Sequence, residues 1–357
     1  MRATFNLDLS EILYDSKGET YKRLAEFLDS YDGWMLILDE HTNRHCLPVF
    51  IKKFGDKPKR SHILHSGDQN KTLDRCSSIW TKLTEIKANR NFALVNLGGG
   101  LVTDIAGFAA ACYMRGIDYV NIPTSLLGMI DAAHGGKTGI NYKGLKNQIG
   151  AFHMPSMVLM DVDYLSLLSE SEMKSGYAEI MKHALIADPE LWEKLKIYKN
   201  ILEIKEWRAI VKRSVQIKFD IVKEDPLELG ERKLLNFGHT IGHAFESYSH
   251  ELDSIGLSHG EAVAAGMIVE SAISADLGLL AQGTFEEIAR AILDIYPKFK
   301  YDESDFSSLF TYISHDKKNT EGILNFTLLK SIGQGIYDQE VEAEVIRKGL
   351  KKYMELR

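Results

Sequence analysis

The chain has 357 residues, 45% of them hydrophobic and 26% charged, with a formal net charge of −7 at pH 7. That length and make-up belong to an ordinary globular protein of about two domains, with enough chain for sizeable cores. The acidic balance gives no general attraction to nucleic acid or to an anionic membrane, so an anionic substrate must be met by a local cationic pocket.

In chain order, short apolar runs at 34–38, 62–64, 92–97, 119–122 and 157–160 read as strands separated by helical stretches. That alternation predicts a mainly parallel sheet with helices on its faces. Near residue 165 the texture changes. Helices are predicted at 170–187, 189–198, 206–223, 233–248, 258–277, 284–295 and 339–355, punctuated by Pro189, Pro226 and Pro297. The predicted architecture is an α/β, Rossmann-like nucleotide-binding domain over 1–165 followed by an all-α domain over 166–357. A cleft between two such domains is a common ligand position.

The three cysteines, Cys46, Cys76 and Cys112, are far apart and contain no Cys-x-x-Cys pair. Neither a disulfide framework nor a thiolate zinc site is indicated, and a reducing cytoplasm fits. The opening Met1-Arg2-Ala3-Thr4-Phe5-Asn6 lacks a signal-peptide core, and no apolar run approaches a membrane span. The expectation is a soluble protein without membrane or nucleic-acid partners.

Two stretches carry chemistry. In the first, Phe92-Ala93-Leu94-Val95 leads into Gly98-Gly99-Gly100 and then a helix containing Asp104. This strand, glycine turn and helix lets backbone approach a diphosphate and aims helix N–H groups at it. A tight turn with small residues for close packing explains the three glycines equally well. Further on come a second buried strand ending in Pro123-Thr124-Ser125, then Asp131, Gly135-Gly136-Lys137-Thr138 and Lys146-Asn147.

The second stretch is in the helical half. Glu179 lies in Ala178-Glu179-Ile180-Met181-Lys182, His239 and His243 are four apart in Gly238-His239-Thr240-Ile241-Gly242-His243, and His259 opens His259-Gly260-Glu261. Histidines four apart share a helix face and could jointly grip a metal. A carboxylate with imidazoles suits zinc or a similar divalent ion, but a single histidine is more often a hydrogen-bonded core or surface residue. The residues alone leave open which members are ligands.

These blocks, with Tyr113-Met114-Arg115-Gly116 and Ile122-Pro123-Thr124-Ser125-Leu126-Leu127, occur in an order that resembles the 3-dehydroquinate synthase family over most of the chain. The resemblance implies an enzyme that converts a seven-carbon keto-acid phosphate to a carbocycle using NAD and one divalent metal, zinc or cobalt, as a cytoplasmic homodimer. It implies that Glu179, His239 and His259 bind the metal and that His243 transfers protons instead of ligating. It further implies that Asp39, His41, Asp68, Lys71, Gly99, Gly100, Leu101, Asp104, Thr124 and Ser125 contact NAD. Arg115, Asp131, Lys137, Lys146, Asn147, Lys182, Lys218, Arg232, Asn236 and one of Lys317 and Lys318 are implied to surround the substrate. Lys137 is also implied in catalysis, Glu228 as a proton acceptor, and Arg115 as reaching a neighbouring subunit's site.

Local pattern alone reads several of these differently. Lys182 is three residues from Glu179 and reads as a solvated helix pair; Lys317-Lys318 reads as a charged turn; Glu228, just after Asp225-Pro226, reads as an exposed turn. The chain also departs from the family pattern: Asp68 stands where glutamate is common, His41 where asparagine is frequent, and Ala132-Ala133-His134 precedes the paired glycines. The His239 to His259 interval is longer than usual near His250 to Gly256. Related sugar phosphate cyclases are the nearest rivals, and Arg232, placed for a carboxylate, argues for a carboxylated substrate. A metal-dependent glycerol or alcohol dehydrogenase is the rival of different chemistry.

Overall fold

The computed structural model describes residues 12–15, 18–143, 145–225, 227–253, 256–314 and 324–356. The chain divides into two units, Met1–Ser169 and Glu170–Arg357.

The first unit runs β1 (Ile12–Tyr14), α1 (Glu19–Leu28), β2 (Gly33–Asp39), α2 (Glu40–His45), α3 (Leu47–Phe54), β3 (Ser61–Leu64), α4 (Leu73–Glu85), β4 (Phe92–Gly98), α5 (Gly100–Cys112), β5 (Tyr119–Pro123), β6 (Lys137–Tyr142), β7 (Leu145–Phe152) and β8 (Met157–Met160). Six strands form one parallel sheet in the order β1-β8-β5-β4-β2-β3. The five predicted strands are all in it. β4 and β5 are buried at every position, as central parallel strands covered on both faces must be. The chain moves outward from β2 to β3 but in the opposite direction from β4 to β5, so the strand order reverses between β2 and β4. Ligands in open α/β sheets bind outside the carboxyl ends of the strands at such a reversal.

Three strands here escaped the sequence reading. β1 is only three residues long, too short to show a period. β6 and β7 form an antiparallel pair, Lys137 opposite Phe152 and Ile140 opposite Ile149, apart from the main sheet. β7 is largely exposed and carries Lys146, Asn147 and Gln148, so no hydrophobic alternation announces it.

The second unit runs α6 (Glu170–Ala187), α7 (Pro189–Leu195), α8 (Trp207–Glu224), α9 (His239–Leu252), α10 (His259–Asp276), α11 (Gln282–Leu293), α12 (Phe306–Ser314), β9 (Asn325–Ser331), β10 (Gln334–Glu340) and α13 (Ala343–Glu355). It is helical as expected, with one antiparallel pair of strands, β9 and β10, added to the expected all-α content. The helix predicted at 233–248 divides into a 3-10 turn, Glu231–Asn236, and α9, because Gly238 adopts φ 79°, a left-handed conformation that cannot continue a helix. The helix predicted from 339 starts at Ala343, after β10 has ended at Glu340.

α10 is the central helix, buried from Gly260 to Ser274 at every position except Glu261. α9 lies against it backbone to backbone: a Cβ at Gly266 would sit 2.0 Å from the Gly238 carbonyl oxygen, and one at Gly242 would sit 3.0 Å from that of Ala262. Only glycine allows this approach, which fixes the start of α9 relative to α10. Among the described residues no helix is long and apolar enough to cross a membrane.

Candidate active site and metal centre

Most of the predicted nucleotide residues lie at or just after the carboxyl ends of β2, β4 and β5. β4 ends in Gly98, α5 starts at Gly100, and the Thr124 N–H donates to the Gly98 carbonyl at 3.1 Å, tying the end of β5 to the glycine turn. The three glycines divide the two explanations of the turn between them. A Cβ at Gly98 would meet the Val102 side chain at 2.4 Å, so Gly98 serves packing. At Gly99 it would meet Ser125 Oγ at 3.0 Å, a tight fit, and at Gly100 only Ala132 Cβ at 3.6 Å, an ordinary contact. Gly100 is thus not required by its protein neighbours. No side chain caps α5 at Gly99, so first-turn N–H groups remain for an anion. The residues present therefore fit a nucleotide diphosphate.

Asp39 ends β2 and caps α2, its Oδ1 accepting from the Thr42 N–H at 2.8 Å, while His41 is exposed in the first turn of that helix. Leu101 is half-buried in the first turn of α5. The Asp68 backbone lies in a 3-10 turn, Asp68–Asn70, and its side chain falls outside the described residues. Lys71 is buried and its ammonium donates to Asp104 Oδ2 and to Asn147 Oδ1, both at 2.5 Å. A predicted cofactor residue thus holds another and also a predicted substrate residue. The Asn141 N–H donates to the Lys71 carbonyl at 2.7 Å, and the Asn147 N–H donates to Asn141 Oδ1 at 3.0 Å, closing a ring of contacts that secures β7. Asn141 had no sequence signal.

Asn147 has φ 51° and Arg115 φ 71°, left-handed conformations uncommon outside glycine. Such backbone concentrates at functional positions, where surrounding contacts hold it. Arg115 is exposed in the 3-10 turn Tyr113–Arg115, Lys137 and Lys146 are exposed on β6 and β7, and Asp131 lies half-buried in a π-helical turn, Gly128–Ala132.

In the second unit, Glu179 comes from α6, His239 from the first residue of α9 and His259 from the first residue of α10. Nε2 of His239 and Nε2 of His259 each lie 3.4 Å from the same oxygen, Glu179 Oε1. One ligand atom from each of the three residues falls within 4.8 Å of the others. The Glu179 carboxylate is buried and neither oxygen accepts a hydrogen bond of good geometry; its charge is met by an ion pair with the Lys182 ammonium. The pair expected from i,i+3 spacing therefore exists, but it is buried where the spacing suggested a solvated pair.

Burial works to raise the Glu179 pKa, but the Lys182 ammonium and then His239 outweigh it and hold the carboxyl well below its usual value. For His239, burial and Lys182 push the imidazole below its ordinary value, despite Glu179, favouring the neutral form that ligates. For His259, burial acts downward but the Glu179 and Glu246 carboxylates outweigh it and push it up to about 9. A metal bound here displaces that proton, since only the neutral imidazole has a lone pair to give. A buried carboxylate with two Nε2 atoms around one point has the donors for zinc or cobalt, so the residues present fit the metal.

His243 is exposed one turn along α9, its ring centroid 5.2 Å from that of His239 and 6.1 Å from that of His259. Glu228 is half-buried with φ 60°, and its Oε1 accepts from Asn236 Nδ2 at 3.0 Å. Lys218 is buried on α8 and Arg232 is buried in the 3-10 turn before Asn236. Lys317 and Lys318 lie outside the described residues. A cavity of about 340 Å³ is lined by Glu228, Lys233, Asn236 and Thr240, and by Asn325 and Thr327 of the unanticipated strand β9. That size suits a small ligand.

Two carboxylates that the sequence reading passed over hold this region in place. Asp225 gathers three backbone donors, Leu229 N–H at 3.0 Å on Oδ1 and Gly230 and Arg232 N–H at 2.7 and 3.2 Å on Oδ2, and so shapes the turn that carries Glu228 and Arg232. Burial would raise the Asp225 pKa, and these donors bring it below its ordinary value. Glu270, fully buried on α10, accepts from the Gly238 N–H at 2.6 Å and the Ile241 N–H at 3.1 Å. It caps α9, which has no capping side chain of its own at Gly238. A usable signal was present: Glu270 is the one charged residue between Ala262 and Ile273.

The fold is that of the sugar phosphate cyclases. A solved structure of 2-deoxy-scyllo-inosose synthase, complexed with carbaglucose-6-phosphate, NAD+ and Co2+, superposes with a TM-score of 0.81 at 25% identity, covering 96% of each chain. ValA, a 2-epi-5-epi-valiolone synthase from Streptomyces hygroscopicus subsp. jinggangensis with NAD+ and Zn2+ bound, gives 0.81 at 24% identity over 99% of each chain.

Within that class the chain belongs to the 3-dehydroquinate synthase family. The family's N-terminal model matches residues 61–175 and its C-terminal model residues 176–319. The 3-dehydroquinate synthase of Parabacteroides distasonis is 42% identical over 337 residues, 93% of this chain and 95% of that protein.

Proposed function

We propose that this chain converts 3-deoxy-D-arabino-heptulosonate 7-phosphate to 3-dehydroquinate and phosphate, the second step of the shikimate route to aromatic amino acids. The observation that carries this reading is the convergence of Glu179, His239 and His259 on one point, in a chain of this family. When bound, NAD supplies a reversible hydride acceptor and a zinc or cobalt ion polarises an alcohol oxygen, lowering its pKa. Glu179 Oε1 and the Nε2 atoms of His239 and His259 would hold the ion. Gly99, Gly100 and Leu101, with Asp39, His41, Asp68, Lys71, Asp104, Thr124 and Ser125, would hold the nucleotide.

The substrate carries a carboxylate and a phosphate, which need fixed cations in a chain whose net charge is −7. Arg115, Lys137, Lys146, Lys182, Lys218, Arg232 and one of Lys317 and Lys318 would supply them, with Asp131, Asn147 and Asn236 setting orientation. His243 would hold and return a proton, a role supported by its ring lying 5.2 Å from that of His239 and 6.1 Å from that of His259. Glu228 would accept a proton, steadied by Asn236. The overall change is phosphate elimination and ring closure without net oxidation. After binding, the residues' main task is to position reacting groups and to keep intermediates from escaping.

The same reading makes the protein a cytoplasmic homodimer in which Arg115 reaches the neighbouring subunit's site. The exposed position of Arg115 leaves it open to a neighbouring subunit.

A phosphate-release assay with the seven-carbon substrate tests the function. Turnover is expected to require both metal and NAD, to stop with chelator, and to leave NADH at no more than trace levels. Sustained NADH accumulation with a simple polyol, and no phosphate from the keto-acid phosphate, would establish a dehydrogenase instead.

A further inference from the structure

The two imidazoles that face Glu179 are held differently from behind. His239 presents Nε2 to Glu179 Oε1, and its Nδ1–H donates to the Phe237 carbonyl at 3.1 Å. That acceptor belongs to the backbone two residues earlier, so the ring's orientation is built into the turn that starts α9. His259 also presents Nε2 to Glu179 Oε1, but behind it stands a side chain: Nδ1 lies 3.6 Å from Glu246 Oε2. Glu246 is buried on α9, one turn after His243.

We propose that Glu246 is a positioning residue that fixes the ring of His259, so that its Nε2 lone pair is the one offered beside the Glu179 carboxylate. This rests on the metal reading above. A neutral imidazole has one N–H and one lone pair. Nδ1 faces Glu246 and Nε2 faces Glu179, so once an ion sits beside Glu179 the hydrogen belongs on Nδ1 and the Nε2 lone pair on the ion. The present separation is an ion-pair distance, and a shift of about 0.5 Å brings it into the usual N–H···O range. Partners of this kind orient the ring and raise the basicity of the ligating nitrogen, and losing them typically weakens metal binding about 10–100-fold. α9 thereby acts twice: it carries one ligand, His239, and the partner of the other, His259.

The same neighbourhood offers a competing arrangement. His243, Glu246 and His259 also have ligand atoms within 4.8 Å of one another, so Glu246 could itself ligate a second ion. Metal content decides between the two roles. The experiment compares wild type, Glu246→Ala and Glu246→Gln, each loaded with Zn2+ or Co2+, by elemental analysis, chelator competition and the visible absorption of the Co2+ forms. Folding is checked by thermal unfolding of the metal-free proteins.

The expected result is one ion per chain in all three. Glu246→Ala should bind it about 10–100-fold more weakly with an altered Co2+ spectrum, and Glu246→Gln, which keeps an acceptor oxygen and nearly the same shape, should recover part of both. A wild type with one ion and a folded Glu246→Ala with affinity within twofold and an unchanged spectrum overturn the role. Two ions in the wild type falling to one in Glu246→Ala overturn it in favour of direct ligation. A wild type that holds no ion removes the metal site itself and this role with it.

Discussion

The glycine turn of the first unit and the histidine group of the second are built on opposite plans. At the turn, the groups offered to a ligand are mostly backbone: α5 starts uncapped at Gly99, and a Cβ at Gly100 would meet only Ala132, at an ordinary contact distance. At the histidine group they are side chains from three helices, each needing its own orientation, and the orienting groups are buried acceptors: the Phe237 carbonyl, Glu246 and Glu270. A backbone site is specified by a few small residues adjacent in sequence. A side-chain site depends on residues scattered through the chain. It should therefore fail in more ways, and at positions that touch no ligand.

The largest effect separates ligand from proton carrier within α9. His239→Ala removes one of the three converging residues, Glu179, His239 and His259, so stoichiometric zinc should be lost and turnover should fall by at least about 10³-fold. His243→Ala should keep one ion per chain while kcat falls by about 10²–10⁴-fold, the usual range for a lost general acid or base. Elemental analysis beside phosphate-release kinetics reads both. An empty metal site in His243→Ala would move that residue among the ligands.

A smaller effect is expected where no ligand is touched. Glu270→Gln keeps the shape of the side chain but turns one acceptor oxygen into an amide donor, facing either the Gly238 or the Ile241 N–H. A buried donor left unpaired costs about 1–3 kcal/mol. The start of α9, and with it His239, should loosen. Denaturant unfolding of the metal-free protein should show that loss, faster hydrogen exchange should localise it to Gly238 and Ile241, and zinc affinity should weaken about tenfold or more. Unchanged stability and exchange would mean that the glycine-mediated contact of α9 with α10 fixes the helix without Glu270.

The same contrast explains what was legible in the sequence. The five main strands and the glycine turn were readable because apolar runs and glycines are local signals. The helical half was readable as helices, the histidines as candidates because there are only 12 of them, and Glu179 because the block around it resembles the family's. The division of the 233–248 helix was missed because the φ of 79° at Gly238 and its close approach to α10 arise only in the folded chain. β7 was missed because its exposed face has no apolar period, and Asn325 and Thr327 because nothing local marks β9 as a cavity wall. Asp225, Glu246 and Glu270 look like ordinary acidic residues until their partners are known, and those partners are backbone N–H groups or a histidine brought close by tertiary packing. Residue chemistry was in the sequence; the orientation of that chemistry was not.

The smallest effect tests the backbone plan most sharply, because it asks stability and binding to move in opposite directions. At Gly100 a Cβ meets only Ala132 Cβ at 3.6 Å, and Gly100 is the first residue of α5. Replacing glycine by alanine at a compatible helical position stabilises by about 0.4–1 kcal/mol, by restricting the unfolded chain. Gly100→Ala should therefore unfold at the same or slightly higher denaturant concentration than the wild type. If a diphosphate lies against this turn, the added methyl stands in its path, and NAD affinity measured by calorimetry should fall by about tenfold, near 1.4 kcal/mol. Gly98→Ala should do the reverse, losing stability first, since its Cβ would overlap Val102 at 2.4 Å. Unchanged NAD affinity in a stable Gly100→Ala would return the whole turn to packing, and the nucleotide would have to be sought elsewhere along the carboxyl ends of β2, β4 and β5.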